Sequence, residues 1–217
     1  MDNIIITINR ECGSGGGEIA RILGKKLGLK VYGRTILENV AQQLGLTLET
    51  MDQVKAKKNN WWSEFCRFYQ QFGAISYTPG EQPEITPMSV YLAEARLLRE
   101  LAEQESCIII GRAGFHIFRD YPNSLHILII ADHEARVNRI AQKQNITNEE
   151  AAQVIDSVDR ARDTFVKNVA DTSRNDAHNY NLTINVTNIP PEQVATLLAD
   201  HIRNILPRCR NNDSCQH

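Results

Sequence analysis

A β-branched run, Asn3-Ile-Ile-Ile-Thr-Ile8, leads into Asn9-Arg-Glu-Cys-Gly-Ser-Gly-Gly-Gly17, where four of the five residues from 13 to 17 are glycine. Behind this loop Ile19, Ile22, Leu23 and Leu27 recur at helical spacing. Strand, glycine loop and helix in that order bring free backbone N–H groups and the positive end of a helix to one place, which suits an anion such as phosphate. Two nucleotide motifs compete for the loop, and neither matches fully. A dinucleotide fingerprint begun at Gly13 and Gly15 would need a third glycine where Glu18 stands, and a mononucleotide P-loop finds Arg10 at its first glycine and Gly16 at its lysine. A glycine-rich turn without a ligand is the plain alternative, although such a turn needs fewer glycines.

The rest of the chain repeats the strand-helix alternation. Leu29–Tyr32 reads as a second strand, and Thr35–Leu44 as a helix closed by Gly45. Residues 47 to 72 read as less regular helix, and residues 75 to 87 as a loop holding three of the seven prolines. Eight of the fourteen aromatic residues lie between Trp61 and Tyr91. With Lys55, Lys57 and Lys58 nearby, the segment 61–77 invites a reading as a base-stacking surface, but Trp and Phe at helical spacing more often pack an inserted helical pair or a homodimer contact.

Pro87–Gln104 reads as a helix, Cys107–Ile110 and Leu125–Ala131 as buried strands, and Asp132 as the cap of the helix that follows. Thr147-Asn-Glu-Glu150 is a capping box opening a helix to about Val169, and Leu182–Val186 and Pro190–Leu206 read as the last strand and helix. Purely apolar strands alternating with helices imply a parallel sheet covered on both faces, the α/β class.

Charge narrows the choice of partner. Lys and Arg number 24 against 26 Asp and Glu, a formal charge of −2, so the chain carries no overall basic field to hold a nucleic-acid backbone. Its apolar runs are strand-sized, far short of a membrane span, and no signal or transit segment is evident, so a cytoplasmic location is expected. Cys12, Cys66, Cys107, Cys209 and Cys215 are scattered and read as reduced thiols. Cys209 and Cys215 lie near His217 in a tail, 207–217, expected to be flexible, and their spacing fits no standard zinc site. The six histidines likewise show no metal-ligand spacing, and no nucleophile elbow surrounds a serine.

Several stretches together resemble the cytidylate kinase-like proteins, a branch of the P-loop nucleoside monophosphate kinases. They are Arg10-Glu11-Cys12-Gly13-Ser14-Gly15-Gly16-Gly17-Glu18-Ile19, Ile109-Ile110-Gly111-Arg112-Ala113, Ala131-Asp132 through Arg136 to Arg139-Ile140, Asp159-Arg160-Ala161-Arg162, and Tyr180–Asn185. The resemblance covers nearly the whole chain, least surely from Met51 to Pro87. It implies one domain, a P-loop kinase-like three-layer sandwich around a parallel five-stranded sheet. A nucleotide-monophosphate-binding helical insertion is expected over about 47–105 and a helical lid over about 132–178.

The resemblance also implies ATP and Mg2+ as cofactors, and a small phosphorylated acceptor such as a nucleoside monophosphate. Gly13, Ser14, Gly15, Gly16, Gly17 and Glu18 would hold phosphate, Arg34 and Arg112 would face the acceptor, and Arg136, Arg139, Arg160 and Arg162 would come from the lid. Arg10 would replace the missing lysine. Gly16 and Glu18 stand where cytidylate kinases carry the P-loop lysine and threonine, and Gly33 and Ala113 stand where they carry aspartates. A regulator that kept the fold and lost transfer is therefore the second reading. Without the resemblance, Asp156/Arg160, Asp159/Arg162 and Arg160/Asp163 would read as exposed helix-surface pairs worth a few tenths of a kcal/mol each.

Overall fold

The structure is a computed structural model that describes residues 3–33 and 87–205. The helix expected at Thr35–Leu44, Arg34, the aromatic segment 61–77 and the tail 207–217 lie outside the described residues.

Strand β1 (Ile5–Arg10) is the centre of the sheet. It runs parallel to both neighbours, β3 (Cys107–Ile110) and β4 (Ser124–Ile130), with Ile5 opposite Cys107 on one side and Ser124 on the other. Strands β2 (Lys30–Tyr32) and β5 (Leu182–Asn185) form the edges, giving the order β2-β3-β1-β4-β5. Because successive side chains point to opposite faces, the uninterrupted isoleucines of β1 supply both faces at once. Ile6 and Ile8 pack with Ile19 and Leu23 of α1 (Gly16–Leu27) and with Val194, Leu198 and Ile202 of α6 (Pro191–Ile205). On the other face Ile5 and Ile109 meet Tyr91, Ala95 and Leu98 of α2 (Pro87–Gln104), and Phe115 of the short helix α3 (Gly114–Ile117). The three-layer sandwich expected from the strand pattern is thus present, and α2 is one of its covering layers.

Helices α4 (His133–Gln144) and α5 (Asn148–Ala170) form a hairpin with its own small core of Val137, Ile140, Ala151 and Ile155. Thr147 and Glu150 close the expected capping box, each side chain accepting from the other residue's backbone N–H. Asp132, by contrast, occupies the N-cap of α4 without a side-chain cap bond. Its carboxylate accepts from Asn185 Nδ2 at 3.2 Å instead, tying the ends of β4 and β5 together. Among the described residues no helix is long and apolar enough to cross a membrane.

One polar pair interrupts the sheet's apolar interior. Thr7 Oγ1 lies 2.8 Å from His126 Nδ1, and both side chains are buried. Ser124 Oγ, which donates to the Tyr121 carbonyl at 2.8 Å, lies 3.4 Å from His126 Nε2. Burial, with a smaller push from Arg119, holds the imidazole below its ordinary pKa. Above about pH 6.5 the ring is neutral in both folded and unfolded chains. As the pH falls below that value the unfolded chain takes up a proton that the folded chain refuses, so stability drops. Denaturant titrations at pH 7.5 and 5.5 should show a fall in midpoint for the native chain and a smaller fall for His126→Gln.

Candidate functional site

The carboxyl end of β1 feeds the glycine loop, residues 11–15, and the loop feeds α1, whose N-cap is Gly15 in the left-handed region at φ 82°. Within the loop, Ser14 N–H donates to the Glu11 carbonyl and Gly16 N–H to Ser14 Oγ, while Glu18 and Ile19 N–H groups both donate to the Gly15 carbonyl. The N–H groups of Gly13, Gly15 and Gly17 take part in none of these bonds, so they are available to an anion at the helix start. Ser14 is buried with its hydroxyl donating to the Glu11 carbonyl, and Glu18 is exposed in the first turn.

Arg10 leaves β1 through a channel made by two glycines. A Cβ at Gly16 would sit 2.6 Å from Arg10 Cβ, and one at Gly111 would sit 2.5 Å from Arg10 Nη1. The stem of Arg10 therefore fills the space into which a side chain at position 16, the lysine position of a P-loop, would grow. Arg10's guanidinium pairs with no carboxylate among the described residues. Burial first, then the charges of Arg162, Arg112 and Arg174, push its pKa down from the ordinary value. A largely desolvated cation among like charges is an unfavourable arrangement that a bound anion relieves.

Arg112 reaches this place through a strained turn. Gly111, Arg112 and Ala113 all have positive φ, at 73°, 59° and 49°, and Gly114 N–H donates to the Gly111 carbonyl at 2.9 Å. This is a left-handed turn of the type I′ kind, which costs non-glycine residues roughly 1–2 kcal/mol each. Such strain persists where the surroundings over-determine it, as they do here between β3 and the buried Phe115 of α3.

The hairpin arginines divide into two sets. Arg136 donates through Nη1 to Asp159 Oδ2 at 2.7 Å and to the Cys12 carbonyl at 3.2 Å, and Arg139 Nη1 donates to the Gly13 carbonyl at 2.8 Å. Both hold the outer, carbonyl side of the glycine loop. Arg162 faces the inner cluster, donating to the Arg10 carbonyl at 3.3 Å and lying 3.4 Å from Asp159 Oδ1. Arg160, one residue pair earlier on α5, is exposed and takes no part in the cluster.

Asp159 binds all of this together. Its Oδ1 accepts from Cys12 N–H at 2.9 Å and meets Arg174 Nη2 at 3.1 Å, besides the Arg136 and Arg162 contacts. The expectation of exposed i,i+3 and i,i+4 pairs on α5 thus does not describe Asp159 and Asp163. Asp159 is largely buried, and Asp163 pairs with Arg174 Nε at 2.5 Å rather than with Arg160. The sequence reading missed Arg174 because it lies in a polar stretch with no motif, and only the fold brings it under the end of β1.

The fold is that of the P-loop kinases. Residues 5–188 match the sequence pattern of the cytidylate kinase-like family, and the chain belongs to that family. A structure of an uncharacterised protein from Eubacterium ventriosum is similar at TM-score 0.67 and 20% identity, covering 93% of this chain and 99% of that one. Shikimate kinase from Acinetobacter baumannii, in complex with shikimate, is similar at TM-score 0.51 and 12% identity over 94% and 96% of the two chains. TT1252 from Thermus thermophilus is similar at TM-score 0.51 and 17% identity over 94% and 98%. No curated protein matches the chain in sequence.

Removing the hub carboxylate leaves three guanidinium groups without their shared partner in a mostly dry setting. Asp159→Ala should therefore cost about 3–5 kcal/mol of folding free energy, the scale for breaking a buried ion cluster. Equilibrium unfolding in urea measures it, and a loss under about 1 kcal/mol would show that Asp159 behaves as a surface charge.

Proposed function

We propose that the protein is a phosphotransferase that moves the γ-phosphate of ATP onto a nucleoside monophosphate, CMP-like, or a similar small phosphorylated acceptor. The observation that carries this reading is the Arg10 guanidinium, without a carboxylate partner among the described residues and set among Arg112, Arg162 and Arg174, beside a glycine loop with uncommitted N–H groups. Phosphoryl transfer needs positive groups and positioning more than covalent chemistry from the protein.

In this reading the N–H groups of Gly13, Gly15 and Gly17 hold the triphosphate, and Arg10 supplies the cation that a P-loop lysine supplies elsewhere, delivered from the strand end rather than the helix start. Arg112, with Arg34 by family position, faces the acceptor, and Arg162 reaches the transferring group from the hairpin. Arg136 and Arg139 keep the loop in shape through its carbonyls, and the exposed Arg160 awaits a bound nucleotide to engage. Among the described residues no three acidic, histidine or cysteine side chains group to hold a metal ion. Bound with ATP, Mg2+ would supply charge neutralisation on the phosphates.

A second reading, a nucleotide- or phosphate-binding regulator without transfer, draws on the commitment of Arg136 and Arg139 to loop carbonyls and on Gly33 and Ala113 standing where cytidylate kinases carry aspartates. A coupled turnover assay across nucleoside monophosphates separates the two. Turnover lost in Arg10→Met supports the kinase, and ATP binding without turnover on any acceptor supports the regulator.

The channel makes a sharper prediction. Gly16→Lys alone should abolish ATP binding, because its Cβ would lie 2.6 Å from Arg10 Cβ. The double change Arg10→Gly with Gly16→Lys returns the first glycine and the lysine of a P-loop, leaving Glu18 at the threonine place, and should recover binding to within about tenfold of the native chain, or roughly 1.4 kcal/mol. Calorimetric titration with ATP and magnesium reads both.

A further inference from the structure

We propose that Arg174 is a positioning residue that fixes the Arg10 peptide unit and thereby aims the Arg10 side chain into the site. The proposal rests on the nucleotide-binding reading above and goes beyond it, since neither the family's motifs nor the glycine loop points to this residue.

Arg174 is 2% exposed, among the most buried large side chains of the protein. All three faces of its fork are used: Nη1 donates to the Arg10 carbonyl at 3.1 Å, Nη2 meets Asp159 at 3.1 Å, and Nε donates to Asp163 at 2.5 Å. Its own carbonyl accepts from the Tyr180 hydroxyl at 2.6 Å, and that hydroxyl accepts from Asn9 Nδ2 at 2.6 Å. Asn9 Oδ1 in turn accepts from Arg10 N–H at 2.9 Å. The ring closes on Arg10: the N–H is held by Asn9 and the carbonyl by Arg174, with Arg162 as a second donor at 3.3 Å. The segment between α5 and β5 is thereby strapped to the last residue of β1 from 164 positions away in sequence.

A purely structural strap has no need of another cation here. Replacing a buried ion network by apolar groups is often neutral or stabilising, whereas Arg174 adds its charge to those already pressing on Arg10. That expense is recovered when a polyanion occupies the cluster, because the same guanidinium then both orients Arg10 and adds to the attractive field. Lysine cannot take over, having no planar fork to reach two carboxylates and a carbonyl at once.

The test is a double-mutant cycle on ATP affinity, by calorimetry with magnesium and ATP as the probe, over the native chain, Arg174→Lys, Arg10→Met and the double variant. Circular dichroism and thermal unfolding establish that each is folded. Arg174→Lys should weaken ATP binding about tenfold when Arg10 is present, the scale of one charge-assisted hydrogen bond, and by less than about twofold when position 10 is methionine. A structural role would lower the melting temperature and cost the same affinity in both backgrounds, and that result overturns the proposal. Should Arg174→Lys fail to fold, Asp163→Asn provides the same cycle. Its half-exposed carboxylate touches Arg174 without touching the loop, and a loss independent of Arg10 again overturns the proposal. Absence of ATP binding by the native chain overturns the nucleotide-binding reading itself, and this assignment with it.

Discussion

The carbonyl of Arg10, the last residue of the central strand, is where the architecture converges. Two guanidinium groups donate to it, and the carboxylate of Asp159 links those same groups to Cys12 and Arg136. A parallel strand buried on both faces must end by handing its backbone polar groups to something other than a neighbouring strand. Here the last carbonyl of β1 is handed to side chains from α5 and the segment before β5. The turn from strand to glycine loop, the seat of the helical hairpin and the direction of the Arg10 side chain are set by one charged network. Such a network is costly to assemble from water, and its value lies in geometry more than in stability.

The two glycines that flank Arg10 show why no lysine stands at position 16. Position 16 cannot bear a side chain because the Arg10 stem already occupies its space, and position 111, beside the guanidinium tip, favours glycine because its φ of 73° is left-handed. In the proposed reading, glycine at position 16 and arginine at position 10 are two halves of one exchange. Its consequence is mechanical as well as chemical. A lysine on the first helical turn moves with that helix, whereas an arginine on the strand end is held by the sheet and, through Asp159, by the hairpin. In this chain the hairpin and the glycine loop are therefore one connected unit, with Cys12 packed against the hairpin core and Arg139 on the Gly13 carbonyl.

Much of the fold could be read directly. The isoleucine runs of β1, β3 and β4 appear in the sheet as expected, the helix at Pro87–Gln104 has the bounds its periodicity implies, and the Thr147–Glu150 box opens α5. These are local signals: hydrophobic period and cap chemistry act over a few residues. The short α3 escaped because four residues cannot show a helical period, and it exists because the left-handed turn at Arg112 and Ala113 delivers the chain onto the sheet face. Asp132 shows a local signal overruled, its carboxylate drawn to Asn185 across two strand ends.

The candidate site was legible in kind but not in wiring. The order of strand, glycine loop and helix, set by backbone conformational freedom and apolar period, already suited an anion at the strand-to-helix turn, and the family resemblance implied that arginines after β3 and along the hairpin converge on it. Sequence spacing, however, treats Asp159, Arg160 and Arg162 as neighbours on one helix, with nothing to say which of them turns inward. Only the tertiary structure decided that Asp159 is a buried hub, that Arg160 faces outward, and that Arg174 reaches the end of β1. The physical reason is range: glycine loops, caps and periodicity are properties of adjacent residues, whereas the fate of a charge depends on which distant groups folding brings within hydrogen-bonding distance and how much water it leaves between them.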